Sequence, residues 1–392
     1  MSKGPVLFLS ARVGEGHTAA ADAVREQLAA HGLRGEVHDS YRYAASLFSK
    51  VVSDGYIGMV RTIPQLYGVI YDRAERATVA GGFRKWAAEF TARNIIGLMK
   101  RLQPSVVVCT HAFPCGVMSA YKRLYDPSIA VMGIVTDFVV HPFWIYKNVD
   151  AYAVATPEIR AALVGRGIEP GRVGVDGIPI DRRFGELPAD RAALRKRLGL
   201  PPDRAVALVM GGGLGLGPVA TTVRALAAAE HPVTPVVIVG KNRRLERRLS
   251  EEARRDGSDV RVLGFVENVF DWMHAADVLV TKPGGLSTSE ALAASVPLVL
   301  LRPLPGQEER NARYLISHGA ALRATRGREL VRVVDAVLAG GGVAERVRAD
   351  AAALAHPDAA ERIADRIAAL ARREDGAQIR TSGAGAERWP SG

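Results

Sequence analysis

Residues Thr281–Leu300 read TKPGGLSTSEALAASVPLVL. The apolar run Val278–Val280 leads into a proline-glycine-glycine turn, and a helix opens there with Gly285, Ser287, Thr288, Ser289 and Glu290. A second apolar run, Leu298–Leu301, follows that helix. The first turn of such a helix presents unpaired backbone N–H groups at the positive end of its dipole, where a phosphate or a ribose binds. Two more turns of this kind occur at Met210–Pro218, MGGGLGLGP, and at Ser10–Ala21, SARVGEGHTAAA, where Gly16 precedes His17. Three glycine-rich strand-to-helix turns in one α/β chain predict a nucleotide-linked donor held between two domains.

Around these turns, short apolar runs alternate with helical patterns. Val6–Leu9, Val106–Cys109, Ala130–Val135 and Ala151–Ala155 read as strands in the first half. Val206–Met210, Val236–Val239, Val260–Leu263, Val278–Val280 and Leu298–Leu301 read as strands in the second. Buried strands separated by helices predict parallel sheets covered on both faces, with ligands beyond the carboxyl ends of the strands. Proline and glycine punctuate Val175–Arg183, which places a domain boundary near Asp181. The expected division is residues 1–180, residues 181–374 and a disordered, Gly- and Ser-rich tail over 375–392. Tyr41–Leu102 stands apart: aromatic residues (Phe48, Tyr56, Tyr67, Tyr71, Phe83, Trp86, Phe90) interleave with basic ones, and Gly81-Gly82 reads as a turn.

Composition narrows the function classes. The chain has 392 residues, 48% hydrophobic and 24% charged, as in a soluble globular protein. No run of about 18 apolar residues predicts a membrane span, and the N-terminal apolar run reads as a first strand rather than a signal peptide. A cytoplasmic protein is expected. The net charge of +11 suits an anionic membrane surface, while no nucleic-acid-reading pattern is present. Cys109 and Cys115 flank His111 in CTHAFPC, a spacing that reads as buried free thiols rather than a zinc site.

Several side chains carry candidate chemistry. Glu290 lies one helical turn beyond the glycines, where a carboxylate accepts two hydrogen bonds from a ribose diol or complements the helix dipole. Gln307 and Glu308, in RPLPGQEERN, put an amide and an acid side by side, a pair suited to hexose hydroxyls. His17 opens a helix after the first strand; an imidazole kept neutral there takes a proton from a hydroxyl near pH 7. Asp137, in TDFVVHPFW, sits at another strand end with His141 and Trp144 behind it, and His111 ends a neighbouring strand. His17 and Asp137 are the candidate bases; His111, His141 and Trp144 are candidate acceptor contacts. No Asp-x-Asp pair is present to hold a divalent cation, so neither metal nor cofactor is expected.

The segments GEGHTAAA, TDFVVHPFW, GGGLGLGPV, VLGFVENV, TKPGGLSTSEALA and PLPGQEERNARYLISHGAA together resemble monogalactosyldiacylglycerol synthases and processive diacylglycerol glucosyltransferases. The wider group includes the N-acetylglucosaminyltransferase of the peptidoglycan lipid intermediate. The resemblance implies the GT-B architecture, two Rossmann-like domains facing a cleft with the C-terminal helix crossing back to the first. It implies inverting transfer of a hexose from a UDP-sugar to a lipid hydroxyl such as that of diacylglycerol, at the membrane surface. By motif position Glu290 would hold the ribose; Gly212, Gly213, Ser287 and Thr288 the phosphates; Phe265 and Val266 the uracil; Gln307 and Glu308 the sugar. His17 matches the position proposed as base, and Tyr41–Leu102 would face lipid. A soluble acceptor, a UDP-sugar epimerase and a UDP-sugar sensor are the competing readings.

Overall fold

The computed structural model describes residues 4–11, 15–44, 78–212, 218–226, 229, 231–301, 303 and 306–383, with the side chains of 78–84 and 373–383 outside that description. Gly213 and most of the aromatic and basic residues expected to face lipid, Phe48, Tyr56, Tyr67 and Tyr71 among them, also lie outside it.

Two six-stranded sheets, parallel throughout, carry the fold. The first is built from β1 (Val6–Ser10), β2 (Gly35–Asp39), β3 (Val106–Cys109), β4 (Val131–Ile134), β5 (Ala151–Val154) and β6 (Val173–Val175), in the order β2-β1-β3-β4-β5-β6. The second is built from β7 (Ala205–Met210), β8 (Val233–Ile238), β9 (Arg261–Leu263), β10 (Val278–Thr281), β11 (Leu298–Leu300) and β12 (Leu322–Arg323), in the order β12-β11-β10-β7-β8-β9. Asp181 lies in the connection between them. The central strands are buried along their whole length, as runs such as VLFLS and VLVT require, because helices cover both faces of a parallel sheet.

In each sheet the strand order reverses once, at β1/β3 and at β7/β10. Loops that leave a reversal point diverge to opposite faces and open a crevice at the strand ends, where ligands bind in doubly wound sheets. In the first sheet the crevice lies between the turn into the Gly16–Gln27 helix and Thr110-His111; in the second it lies between Gly211-Gly212 and the turn into the Gly285–Ala293 helix.

The last helix, Ala359–Gly383, returns to the first sheet. Ile363, Ile367 and Leu370 share one apolar cluster with Val6, Phe8, Val106 and Met132. Arg362 donates to the Val175 carbonyl at 2.7 Å, and the Arg366 guanidinium lies 2.8 Å from buried Asp176. Two sequence expectations are corrected here. Residues 375–383 belong to this helix rather than to a structureless tail. Gly81-Gly82 lies inside the helix Thr78–Asn94 rather than in a turn, because the apolar packing of Ala87, Ala92 and Ile95 downstream outweighs the low helix propensity of two glycines. Among the described residues no helix is long and apolar enough to cross a membrane.

Candidate active site

The two crevices meet. Gly285 opens its helix directly beneath the Thr136-Asp137 backbone: a β-carbon placed on it would lie 2.0 Å from the Thr136 carbonyl oxygen. Gly16 packs in the same way toward Leu286, whose Cβ would be 3.6 Å from a β-carbon at residue 16. The start of the Gly16–Gln27 helix thus faces the start of the Gly285–Ala293 helix. Neither has a side-chain cap at its N-cap, Glu15 or Gly284, and the first-turn N–H groups of each lie at the positive end of its dipole. Asn311, fully buried, stitches the halves together. Its amide donates to Asp137 Oδ1 at 2.8 Å and to the Pro283 carbonyl at 3.3 Å, while its oxygen accepts from Phe138 N–H at 3.0 Å. At the rim Lys241 donates to Glu15 at 2.8 Å and lies 5.5 Å above the Phe265 ring.

On the first-sheet side His17 Nδ1 shares a 3.0 Å hydrogen bond with the Thr136 hydroxyl. Burial lowers the His17 pKa to about 4, against the opposing pull of a hydrogen bond to the Thr110 backbone. The imidazole is therefore neutral across the physiological range, as a base must be, but through desolvation rather than through the helix dipole. His111 meets it edge-on, ring centres 4.8 Å apart, and caps the helix Ala112–Leu124 by accepting from Phe113 N–H at 3.1 Å. Burial, then the nearby His17, holds His111 well below the usual histidine range. Tyr41 stacks on Phe113 at 5.0 Å beside this pair.

On the second-sheet side Asp137 faces Asn311, Gln307, Glu308 and Lys282. Burial raises its pKa to about 6; hydrogen bonds from Asn311 and Gln307 and the Lys282 charge oppose this, and the Glu308 charge adds to it. Gln307 donates to the Val139 carbonyl at 2.5 Å, and Lys282 Nζ pairs with Glu308 at 2.5 Å. Glu290 retains an opening to solvent, yet desolvation in the cleft, with Asp181 nearby, raises its pKa to about 8. Phe265 stands 57% exposed at the mouth, and Val266 packs half-buried behind it.

The structure thus gathers His17, His111, Asp137, Gly16, Gly212, Gly285, Gln307 and Glu308 around the meeting of the two crevices, with Phe265 and Glu290 on the second-sheet wall. Ser287 and Glu290, three residues apart, share a helix face. Thr288 is placed differently from expectation. It is fully buried, and its hydroxyl donates to the Gly284 and Gly285 carbonyls at 2.8 and 3.1 Å, so it holds the first helical turn rather than facing the cleft. His141 and Trp144 are also set below the surface. His141 caps a short helical turn, and Trp144 belongs to the apolar core. Two residues at the centre, Asn311 and Lys282, were not singled out from sequence. Asn311 follows Gln307 by four residues, one helical turn on the same face, and that spacing was the available signal.

Two facing doubly wound sheets with this cleft between them define the GT-B architecture. The chain is 17% identical to Acinetobacter baumannii MurG, with a TM-score of 0.57 over 93% of this chain and 99% of that one. It is 17% identical to Os79 from O. sativa, solved in complex with U2F and trichothecene, with a TM-score of 0.62 over 94% and 100%. The monogalactosyldiacylglycerol (MGDG) synthase family matches residues 17–180, and the glycosyl transferases group 1 family matches residues 218–327. The processive diacylglycerol beta-glucosyltransferase of Bacillus subtilis (strain 168) is 31% identical over 350 residues, 88% of this chain and 89% of that protein. The chain belongs to the family of monogalactosyldiacylglycerol synthases and processive diacylglycerol glucosyltransferases.

Proposed function

We propose that this enzyme transfers a hexose from a UDP-sugar to the hydroxyl of a diacylglycerol-type lipid with inversion at the anomeric carbon. The observation that carries the reading is the juxtaposition of the two strand-order reversals. One supplies a half-buried neutral imidazole, His17. The other supplies an uncapped helix start, the Gly212 turn and the Glu290 carboxyl. The donor's uracil lies by Phe265 and Val266, its ribose on Glu290, and its diphosphate between the Gly212 turn and the Gly285–Ser287 helix start. Gln307 and Glu308 hold the hexose. The acceptor oxygen attacks the anomeric carbon from the first-sheet side, His17 takes its proton, and the bond to the β-phosphate oxygen breaks. The helix dipole stabilises the departing UDP without a divalent cation. Asp137, bound by Asn311 on the donor side, positions the Gln307–Asn311 face.

The acceptor side extends to a surface suited to a bilayer. Trp86 and Phe90, 53% and 40% exposed on one helix, stand beside Leu124 and Tyr125, each 44% exposed. A 2.5 Å Arg123–Glu89 ion pair ties the two elements together. Apolar side chains among Lys85, Arg93 and Arg123, on a chain of net charge +11, fit peripheral attachment to the cytoplasmic face of an anionic membrane.

The test is incubation with a panel of UDP-hexoses and diacylglycerol in anionic vesicles, with product mass and anomeric configuration read by mass spectrometry and NMR. A β-linked hexosyl lipid formed with chelator present is expected. Conversion of the UDP-sugar without acceptor would replace this reading with epimerisation, and a product formed only on added Mn²⁺ would remove the metal-independent mechanism.

A further inference from the structure

Lys282 is the first residue beyond β10, at the point where the strand order of the second sheet reverses. Its side chain lies over the Gly212 turn. A β-carbon at Gly212 would be 3.0 Å from Lys282 Cε and 3.9 Å from Nζ, and Gly212 has a φ of +68°. The turn therefore needs glycine both for its left-handed backbone and to leave room for the lysine stem. The ammonium is half-buried and pairs with Glu308 at 2.5 Å; its charge also reaches Asp137. A cation is thus held against the turn assigned to the diphosphate, neutralised by a carboxylate assigned to the hexose.

We propose that Lys282 is a catalytic residue that binds the donor diphosphate, exchanging its pairing with Glu308 for the phosphates. This rests on the donor reading above. When the donor enters, the hexose hydroxyls donate to Glu308, and Lys282 Nζ turns from Glu308 to the diphosphate at the Gly212 turn. In the transfer step the acceptor oxygen bonds to the anomeric carbon and its proton passes to His17. The electron pair of the breaking bond goes to the β-phosphate oxygen, and the ammonium offsets the negative charge gathered there. A charge-assisted contact of this kind strengthens as that charge grows.

Calorimetric titration with uridine, UMP and UDP tests this on the full chain, comparing wild type with Lys282→Gln, Lys282→Arg and Glu308→Gln. Lys282→Gln is expected to leave uridine affinity unchanged and to weaken UDP by about ten- to a hundredfold. Lys282→Arg is expected to recover most of that loss. Glu308→Gln, which frees the ammonium, is expected to hold or raise UDP affinity, the opposite sign from Lys282→Gln. A lysine serving only to anchor Glu308 would give both variants the same sign. Equal UDP affinity in wild type and Lys282→Gln overturns the proposal while the donor reading stands, as does a UDP loss in Glu308→Gln matching that of Lys282→Gln. Wild type that binds neither uridine nor UDP overturns the donor reading itself. Should Lys282→Gln fail to fold, the Lys282→Arg and Glu308→Gln titrations carry the same comparison.

Discussion

Replacing Glu290 with glutamine is expected to make the unliganded protein more stable while weakening its hold on the nucleotide. The Glu290 pKa is raised from 4.5 to about 8 by desolvation and by Asp181. A carboxyl raised in this way favours folding while protonated. Its contribution is fully present below pH 4.5 and is lost as pH rises through about 8. At about 1.4 kcal/mol per pH unit the ceiling on that loss is about 5 kcal/mol. The carboxyl keeps an opening to water, and screening there reduces the effect to about 2 kcal/mol. Glutamine has the same shape and no charge to desolvate. Scanning calorimetry from acidic to alkaline pH should therefore show equal Tm values at the acid end. At the alkaline end the variant should unfold about 2–3 °C higher. Binding adds an independent readout. A ribose diol donates to an ionised carboxylate, so UDP binding near neutral pH should release a proton, visible as a buffer-dependent enthalpy absent from Glu290→Gln. A stability gap that does not change with pH, or a variant less stable than wild type in alkali, would refute this reasoning.

The other expectations can be checked with the same preparations. Gly285→Ala puts a β-carbon where the Thr136 carbonyl lies, so the halves must separate locally; a loss of about 1–3 kcal/mol in stability and most of the turnover is expected by calorimetry and product assay. His17→Ala should lower turnover by about 10²–10⁴-fold with UDP affinity unchanged by titration. Asn311→Ala leaves Phe138 N–H without its buried partner and takes one of two donors from Asp137; about 1–3 kcal/mol of stability should be lost, and the acid limb of the pH–rate profile should move to higher pH because a bond that favours ionised Asp137 is gone. Lys241→Ala breaks the pair with Glu15, whose side chains are 55% and 42% exposed, and should shift stability by less than about 1 kcal/mol.

Much of this was legible where side-chain chemistry is local. The strands around Val106–Cys109 and Val278–Thr281 are apolar runs closed by turn residues, and both are buried as such runs imply. β2, GEVHD, was missed because an edge strand, half-buried at most of its positions, carries no apolar run, and β12 is too short to show one. Within the site, the places of Glu290 and His17 in the cleft were readable because a glycine turn precedes each; their roles are proposals. Thr288 was misplaced because adjacent letters were read as one surface, whereas neighbours on a helix point about 100° apart. His141 and Trp144 were taken for acceptor contacts from their nearness to Asp137, yet the apolar neighbours Val139, Val140 and Phe143 mark a segment that folds inward. Lys282 and Asn311 owe their importance to partners 26 and 174 residues away; the spacing of Asn311 from Gln307 gives its helix face, but no local pattern names either partner.

The path of the final helix has a consequence for how the molecule is made. The layer over this face of the first sheet is shared: Ala21, Val24 and Leu28 come from its own first helix region, and Ile363, Ile367 and Leu370 come from beyond the whole second Rossmann unit. During synthesis the second Rossmann unit can close before the first acquires its cover, reversing the usual vectorial sequence in which the earlier unit matures ahead of the later one. Until the ribosome has released those residues, part of a greasy sheet face stays open to chaperones, and a nonsense codon a few dozen positions early would leave that part uncovered for good.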